Sequence, residues 1–294
     1  MTTTTDEFES HRPQLFGLAY RMLGSAEEAE DTMQDAYLRW NSTDRAAVER
    51  PGAWLTKVVT NLCLNRLTSA RTRREVYPGP WLPEPVVTSD GTLGPLESAE
   101  QRDAVSFAVL VLLERLTPAE RAVYILREAF AYGHREIAEV LELSEANCRQ
   151  LYRRALQRVA GPGKRFEAEP ERQARIVESF VTAAREGDLA GLERLLAADV
   201  TWWSDGGGRV TSARRPIVGR EKVLRFLAGA FEGFAAQVGL TIAEVNGAAG
   251  LVGRDGGRVV GVIVFEVREG LVDRLQAVVN PDKLGFVSHQ LAGS

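Results

Sequence analysis

"HREIAEVLELSEANCRQLYRRAL", residues 134–156, has the outline of two short helices that meet at a turn near Glu142 to Ser144. On a helical wheel of about 100° per residue with Cys148 at the origin, Leu151, Tyr152 and Ala155 fall on the same side and form a buried stripe. Arg149, Gln150, Arg153 and Arg154 fall on the opposite half. The preceding helix buries Ile137, Val140 and Leu141, and Leu143 plugs the angle between the two. The spacing predicts a helix-turn-helix whose second helix presents polar groups outward, sized to enter a groove about 12 Å wide. Arg can clamp guanine bidentately and Gln can pair with adenine, while Arg158, Lys164 and Arg165 are placed to neutralise phosphates. The competing reading is a solvated face of a helical bundle; the coincidence of a basic run with this spacing favours the groove.

The formal charge of the 294-residue chain is −4, so cation is concentrated locally rather than in bulk. From Arg50 to Arg74 the charged residues are Arg50, Lys57, Arg66, Arg71, Arg73 and Arg74, without an acid among them. From Arg149 to Arg165 the pattern repeats. Between Arg21 and Arg39, in contrast, Glu27, Glu28, Glu30, Asp31 and Asp35 form an acidic block without a cation. Two basic surfaces and one acidic surface imply at least two kinds of partner. Residues 1–165 carry 21 cations against 23 acids, a balance that keeps nonspecific attraction to DNA low.

Working outward, residues 8–75 read as helices in FESHRPQLFGLAYRML, EEAEDTMQDAYLRW and AWLTKVVTNLCLNRL. Ser25 with Glu28 and Thr117 with Glu120 have capping-box spacing, and Pro51 suits a first helical turn. YPGPWLPEPVVTSDGTLGPLES reads as a linker, helices return from about Ser98 to Val159, and GPGKRFEAEPE breaks the chain again. The remainder predicts two helices (about 172–186 and 188–198), strands at VTWW, RVTSA, VGLTIAEV, RVVGVIVFEV and LVDRLQAVV, and one intervening helix at REKVLRFLAGAF. The domain division is therefore 1–76, linker 77–97, 98–165 and 166–294: two all-α modules followed by an α+β domain. The polar, acidic start is unlike a secretory signal and no apolar run approaches about 20 residues, so a cytoplasmic location and no membrane partner are expected. Cys63 and Cys148 sit in helical patterns and the three histidines are scattered, so neither disulfide nor metal is expected.

LTPAERAVYILREAFAYGHREIAEVLELSEANCRQLYRRA resembles region 4 of the extracytoplasmic-function sigma factors of the sigma-70 family, the module that reads the minus-35 promoter element. HRPQLFGLAYRMLGSAEEAEDTMQDAYLRW through AWLTKVVTNLCLNRLTSARTRRE resembles their region 2. The resemblance implies core RNA polymerase (β′ clamp helices and β subunit) and promoter DNA as partners. It implies that the acidic helix 26–40 docks on the clamp helices, with Asp31, Gln34, Asp35, Arg39 and Trp40 as candidate contacts and Met33 and Tyr37 bracketing them. Asn61 and Asn65 share a helix face with Lys57 and, one turn earlier, Trp54. Promoter melting needs amides that read base edges and aromatics that replace stacking. The family resemblance implies minus-10 DNA at Asn61 and Asn65, with Arg66, Arg71, Arg73 and Arg74 on the backbone.

"EGDLAGLERLLAADVTWWSDGGGR" resembles the SnoaL-like, nuclear transport factor 2-like fold, a curved sheet wrapped by helices around a cone. Phe180, Trp202, Trp203, Phe226, Phe231 and strand 259–267 are the expected pocket walls. The fold hosts enzymes and binders alike, but this segment has no Tyr and only His289, so no catalytic residue, enzyme activity or cofactor is assigned. Asp205, Gly206, Gly207, Gly208 and Arg209 lack the Lys-Ser/Thr ending of a P-loop and fit a hairpin that lets another segment approach closely. Together with Asn280, Pro281, Asp282, Lys283 and Leu284 and the Pro-rich linker, they resemble a SigJ-like subgroup with a fused SnoaL-like domain. That resemblance implies control in cis, the C-terminal domain contacting the sigma modules or the linker and biasing a two-state equilibrium. Whether the pocket takes a small ligand stays open. Two other readings remain: a ligand-sensing helix-turn-helix regulator, which would not need the acidic helix or the Asn61/Asn65 helix, and a DNA-targeted SnoaL-like enzyme, which a buried Asp of raised pKa facing an open pocket would favour.

Overall fold

The computed structural model describes residues 4–75, 77–89, 91–93, 105–159, 170–230 and 238–292. They divide into two compact units, one of Met1–Val76 with Asp90–Gly163, the other of Tyr77–Ser89 with Lys164–Ser294.

In the first unit α1 (Thr4–Leu23), α2 (Ala26–Ser42) and α3 (Pro51–Glu75) pack around Phe8, Phe16, Tyr20, Met33, Trp40, Leu55 and Val59. Gly24, at φ +68°, ends α1 in the left-handed conformation that costs glycine nothing, its N–H bonding Tyr20 O at 2.7 Å. Ser25 Oγ then accepts the Glu28 N–H at 3.0 Å and opens α2. After α4 (Phe107–Leu113), the Thr117–Glu120 capping box starts α5 (Pro118–Glu128), and α6 (His134–Leu141) with α7 (Glu145–Val159) completes the helix-turn-helix.

The same unit packs α3 and α1 against these later helices. Arg121, 3% exposed, donates to Met22 O at the end of α1 and to Leu113 O, both at 2.7 Å, and pairs with Glu114 at 2.9 Å. A guanidinium so deeply buried is tolerable because carbonyls at helix ends and a carboxylate satisfy it. Tyr132 Oη donates to Thr56 Oγ1 at 3.2 Å, and Lys57 reaches Glu142 in the helix-turn-helix turn at 2.8 Å.

In the second unit α8 (Pro170–Glu186), α9 (Leu189–Leu195) and α10 (Arg220–Ala230) cover one face of a sheet ordered β2-β1-β6-β5-β4-β3. The strands are β1 (Leu196–Asp205), β2 (Ile217–Val218), β3 (Gly239–Val245), β4 (Ala248–Asp255), β5 (Arg258–Arg268) and β6 (Leu271–Val278). Among the described strands only β1 and β6 run parallel. A short 3₁₀ turn, Pro281–Lys283, and α11 (Gly285–Ala292) follow. The expected strand at RVTSA is not one: Ser204 Oγ accepts the Ala213 N–H at 3.0 Å and donates to Ala213 O at 3.2 Å, closing residues 204–213 as a loop. The Ala- and Gly-rich β4, unmarked by β-branched alternation, lies between β5 and β3.

Phe180 meets Phe265 at 5.1 Å between ring centres and Trp202 meets Phe226 at 5.1 Å, so these expected pocket walls close on one another. Trp203 points to the other face of β1, because side chains alternate along a strand; Phe231 lies outside the described residues. On that other face the cross-strand neighbours Thr201, Arg274 and Glu266 form a polar row, with Arg274 to Glu266 at 3.1 Å. Burial pushes Glu266 up to about 7 against the opposing pull of Arg274. The row lies opposite Trp202, Leu275 and Phe265, away from the helix-covered core.

A carboxyl raised this far keeps its proton in the folded chain at pH values where the unfolded chain has lost it. Its contribution is full below about pH 4.5 and disappears as pH rises through 7. Urea unfolding of wild type is expected to lose about 3 kcal/mol more across that window than Glu266→Gln; equal pH slopes would contradict the assignment.

Candidate functional site

On α7, Cys148 and Ala155 are buried and Leu151 and Tyr152 half-buried, while Arg149, Gln150, Arg153 and Arg154 are exposed together on the outer face. Glu142, at φ +56°, turns the chain between α6 and α7, and Leu143 is half-buried beneath it. Arg149 pairs with Glu145 one turn back. Arg158 reaches buried Glu120 at 2.6 Å, which ties the end of α7 to the start of α5. Tyr152 Oη donates to Glu128 at 2.5 Å; burial first, then that carboxylate, raises the phenol to about 12. Lys164 and Arg165 lie outside the described residues.

On α2, Asp31, Gln34 and Arg39 are exposed and Asp35 half-exposed. Trp40 is not on that surface. It is fully buried, ring to ring with Trp54 at 5.4 Å, because the apolar stripe of α2 runs through Met33, Ala36 and Trp40 into the core. Leu38, 64% exposed beside the acids, is the apolar surface residue that the sequence reading passed over. On α3, Asn65 is exposed and Trp54, Lys57, Asn61 and Arg66 half-buried. The side chains of Arg71, Arg73 and Arg74 lie outside the described residues. The two candidate sets meet: Arg66 bonds Asp35 at 2.7 Å and stands 3.7 Å from Asp31.

In the second unit the two motifs close on the linker. The Asp205 carboxylate, wholly buried, accepts Tyr77 Oη (2.5 Å) and Gly207 N–H (3.0 Å) on Oδ1, and Leu82 N–H (2.9 Å) and Lys283 Nζ (2.8 Å) on Oδ2. Lys283 also donates to Leu82 O at 2.6 Å, its ammonium 4.8 Å from the Tyr77 ring centre and 4.2 Å from that of Trp81. Asn280 caps the 3₁₀ turn by accepting Asp282 N–H and donates to Tyr77 Oη at 2.9 Å. Burial and the Asp205 carboxylate push the Tyr77 phenol well above its ordinary range. Gly207, at φ +58°, lies so close to Asn280 that a Cβ would overlap the carboxamide. Arg209 and Asp282 join the motifs at the surface, 3.0 Å apart. Farther along, Val86 and Asn246 exchange two hydrogen bonds, Gln290 brackets both polar groups of Val87, and Thr88 N–H donates to Glu244 O. Val87 bridges Val245 on the edge strand β3. Nothing local marks Tyr77 and Trp81 as partners of Lys283, which is two hundred residues away in the chain.

The first unit thus pairs a three-helix module with a helix-turn-helix whose second helix exposes Arg149, Gln150, Arg153 and Arg154, and the second unit holds the segment 77–89 that lies between them in the chain. Residues 8–73 match the model of Sigma-70 region 2, 106–159 that of Sigma-70 region 4, and 177–275 that of the SnoaL-like domain. The chain belongs to the extracytoplasmic-function family of RNA polymerase sigma factors. It is 39% identical to "ECF RNA polymerase sigma factor SigJ" of Mycobacterium tuberculosis over 94% of this chain and 92% of that protein. It is 28% identical to the same organism's "Probable ECF RNA polymerase sigma factor SigI", over 97% and 96%. The crystal structure of M. tuberculosis SigJ superposes with a TM-score of 0.76 at 36% identity, covering 95% of this chain and 98% of that one. The fold is accordingly that of helical sigma regions followed by a SnoaL-like domain with a mixed sheet, and the chain is an alternative sigma factor.

Removing one partner of a buried ion pair strands the other, at a cost of about 3–5 kcal/mol. Lys283→Met is expected to lower the stability of the SnoaL-like unit by that amount in thermal or urea melts. Adding Asp205→Asn should return part of the loss; a cost below about 1 kcal/mol for Lys283→Met would contradict a buried, paired ammonium.

Proposed function

We propose that the chain binds core RNA polymerase through α2 and promoter DNA through α3 and α7, with no enzyme activity of its own, and that its SnoaL-like domain controls it in cis by holding the linker. The observation that carries the DNA reading is the exposure of Arg149, Gln150, Arg153 and Arg154 on one face of α7, opposite buried Cys148 and Ala155. Those four would read the minus-35 element, two of the residue types being suited to bidentate contact with purines. Asn61 and Asn65, supported by Trp54, Lys57 and Arg66 and by Arg71, Arg73 and Arg74 farther along α3, would hold minus-10 DNA. Asp31, Gln34, Asp35 and Arg39, with exposed Leu38, supply the charge and apolar area that a cationic docking partner needs. Functionally the chain divides into 1–76, linker 77–97, 98–165 and 166–294, and no described helix is long and apolar enough to cross a membrane. A cytoplasmic location follows from the polymerase reading.

Control in cis is supported by the bonds that Asp205, Asn280 and Lys283 make to Tyr77 and Leu82. Minus-10 and minus-35 readers must separate to span their elements, and a linker held over residues 77–89 has less chain to give. Whatever favours the released linker shifts the population by its differential affinity. An enzymatic reading finds little support: the raised Glu266 lies on the sheet face away from the helix-covered core and is paired with Arg274. An open depression of about 490 Å³ at the start of α10, lined by Glu193, Arg220 and Lys222 among others, is the cavity to probe for a small ligand.

Run-off transcription with core polymerase tests the assignment. The full chain is expected to direct initiation at a cognate promoter. Arg149→Ala or Arg153→Ala should reduce it by about 5-fold or more, corresponding to about 1–3 kcal/mol for a base contact. Undiminished transcription by both variants would remove α7 from the reading.

A further inference from the structure

Arg66 belongs to two sites at once. It extends from α3, the proposed minus-10 helix, yet its guanidinium lies against Asp35 (2.7 Å) and Asp31 (3.7 Å), one helical turn apart on α2. The arginine side chain is 27% exposed and the carboxylates 46% and 55%, so the acids keep a solvent-facing side while the cation is turned toward them. Two carboxylates around one guanidinium leave the cluster with a net charge of −1, which repels phosphate and attracts a further cation. An arginine does not lose its proton to escape such a pairing; it is freed only when something else satisfies the acids.

We infer that Asp31 and Asp35 mask Arg66 in the free protein, and that cationic groups of the polymerase surface docking on α2 take over these carboxylates and release Arg66 to the promoter backbone. The inference rests on the reading of α2 as the polymerase helix and α3 as the minus-10 helix, and it makes one helix pair both sensor and effector. The coupling is reciprocal: phosphate held by Arg66 leaves the two carboxylates to polymerase, strengthening docking by the same factor. Because the groups are partly solvated, the coupling is modest, about two- to five-fold in an equilibrium constant. That is enough to bias a factor against free DNA without preventing binding once polymerase is present.

The test is a double-mutant cycle on the full-length protein, with affinity for a fluorescent mixed-sequence duplex measured across salt concentrations in the absence of polymerase. Asp31→Asn with Asp35→Asn is expected to tighten binding about two- to five-fold and to steepen the salt dependence by about one ion. In the Arg66→Ala background the same pair of substitutions should give no such gain. An equal gain in both backgrounds would show a general field effect and overturn the inference, as would no gain in either. Binding of the same four proteins to core polymerase separates the inference from its premise. Weakened binding of the Asp31→Asn/Asp35→Asn protein upholds α2 as the docking helix whatever the duplex shows. Undiminished binding removes the releasing agent and overturns the relay. Should the paired substitution prevent folding, Asp35→Asn alone deletes the 2.7 Å contact and is read in the same way.

Discussion

The buried ion pair of Asp205 and Lys283 is the contact on which the control reading depends. An aspartate with both oxygens out of water is costly unless each lone pair is used, and here four donors use them. Two of the four, Tyr77 Oη and Leu82 N–H, come from the linker rather than from the domain that buries the carboxylate. The domain therefore completes its own core chemistry only with the linker in place. Releasing that segment would strip Asp205 of two donors and Lys283 of its carbonyl and both rings, losses that fall together because they share one carboxylate and one ammonium.

The first unit shows the complementary economy at its surface. Lys57 is engaged with Glu142, Arg66 with Asp31 and Asp35, and Arg149 with Glu145, so several cations proposed to face DNA are met by an acid of the same unit. Pairing of this kind lowers the positive field that these basic helices present in a chain of net charge −4. Lys57 has a further aspect: its partner lies in the turn of the helix-turn-helix, so the proposed minus-10 helix is joined to the helices around the minus-35 reader by this pair and by Tyr132 to Thr56, while buried Arg121 ties α5 to the end of α1. The hydrogen bond and charge of Lys57 hold Glu142 below the usual carboxylate range. The pair is solvent-exposed and open to screening, as a separable contact should be.

Much of this was legible from residue spacing. The α7 wheel put Cys148, Leu151, Tyr152 and Ala155 on one side, and Cys148 and Ala155, two turns apart, are the buried pair; the caps at Ser25 and Thr117 fell where their side chains accept backbone N–H groups. Trp40 was less legible. It continues the apolar stripe of Met33 and Ala36 on α2, but the ring it packs against, Trp54, comes from α3, a partner that the residues around Trp40 do not reveal. RVTSA alternates like a strand, but the Gly206–Gly208 turn and the Ser204 hydroxyl bind it into a loop. The linker read as an unstructured tether because its Pro and Gly content describes local preference alone. The path of residues 77–89 arises from contacts to Asp205, Asn246, Lys283 and Gln290, more than a hundred residues on.

Amide hydrogen exchange of the full-length protein addresses the central claim most directly. If the linker is clamped as described, the amides of Leu82, Val86, Val87 and Thr88 exchange as slowly as those of strands β5 and β6, and Lys283→Met accelerates all four together. Exchange of these amides at the rate of a free chain in the wild-type protein would contradict the account.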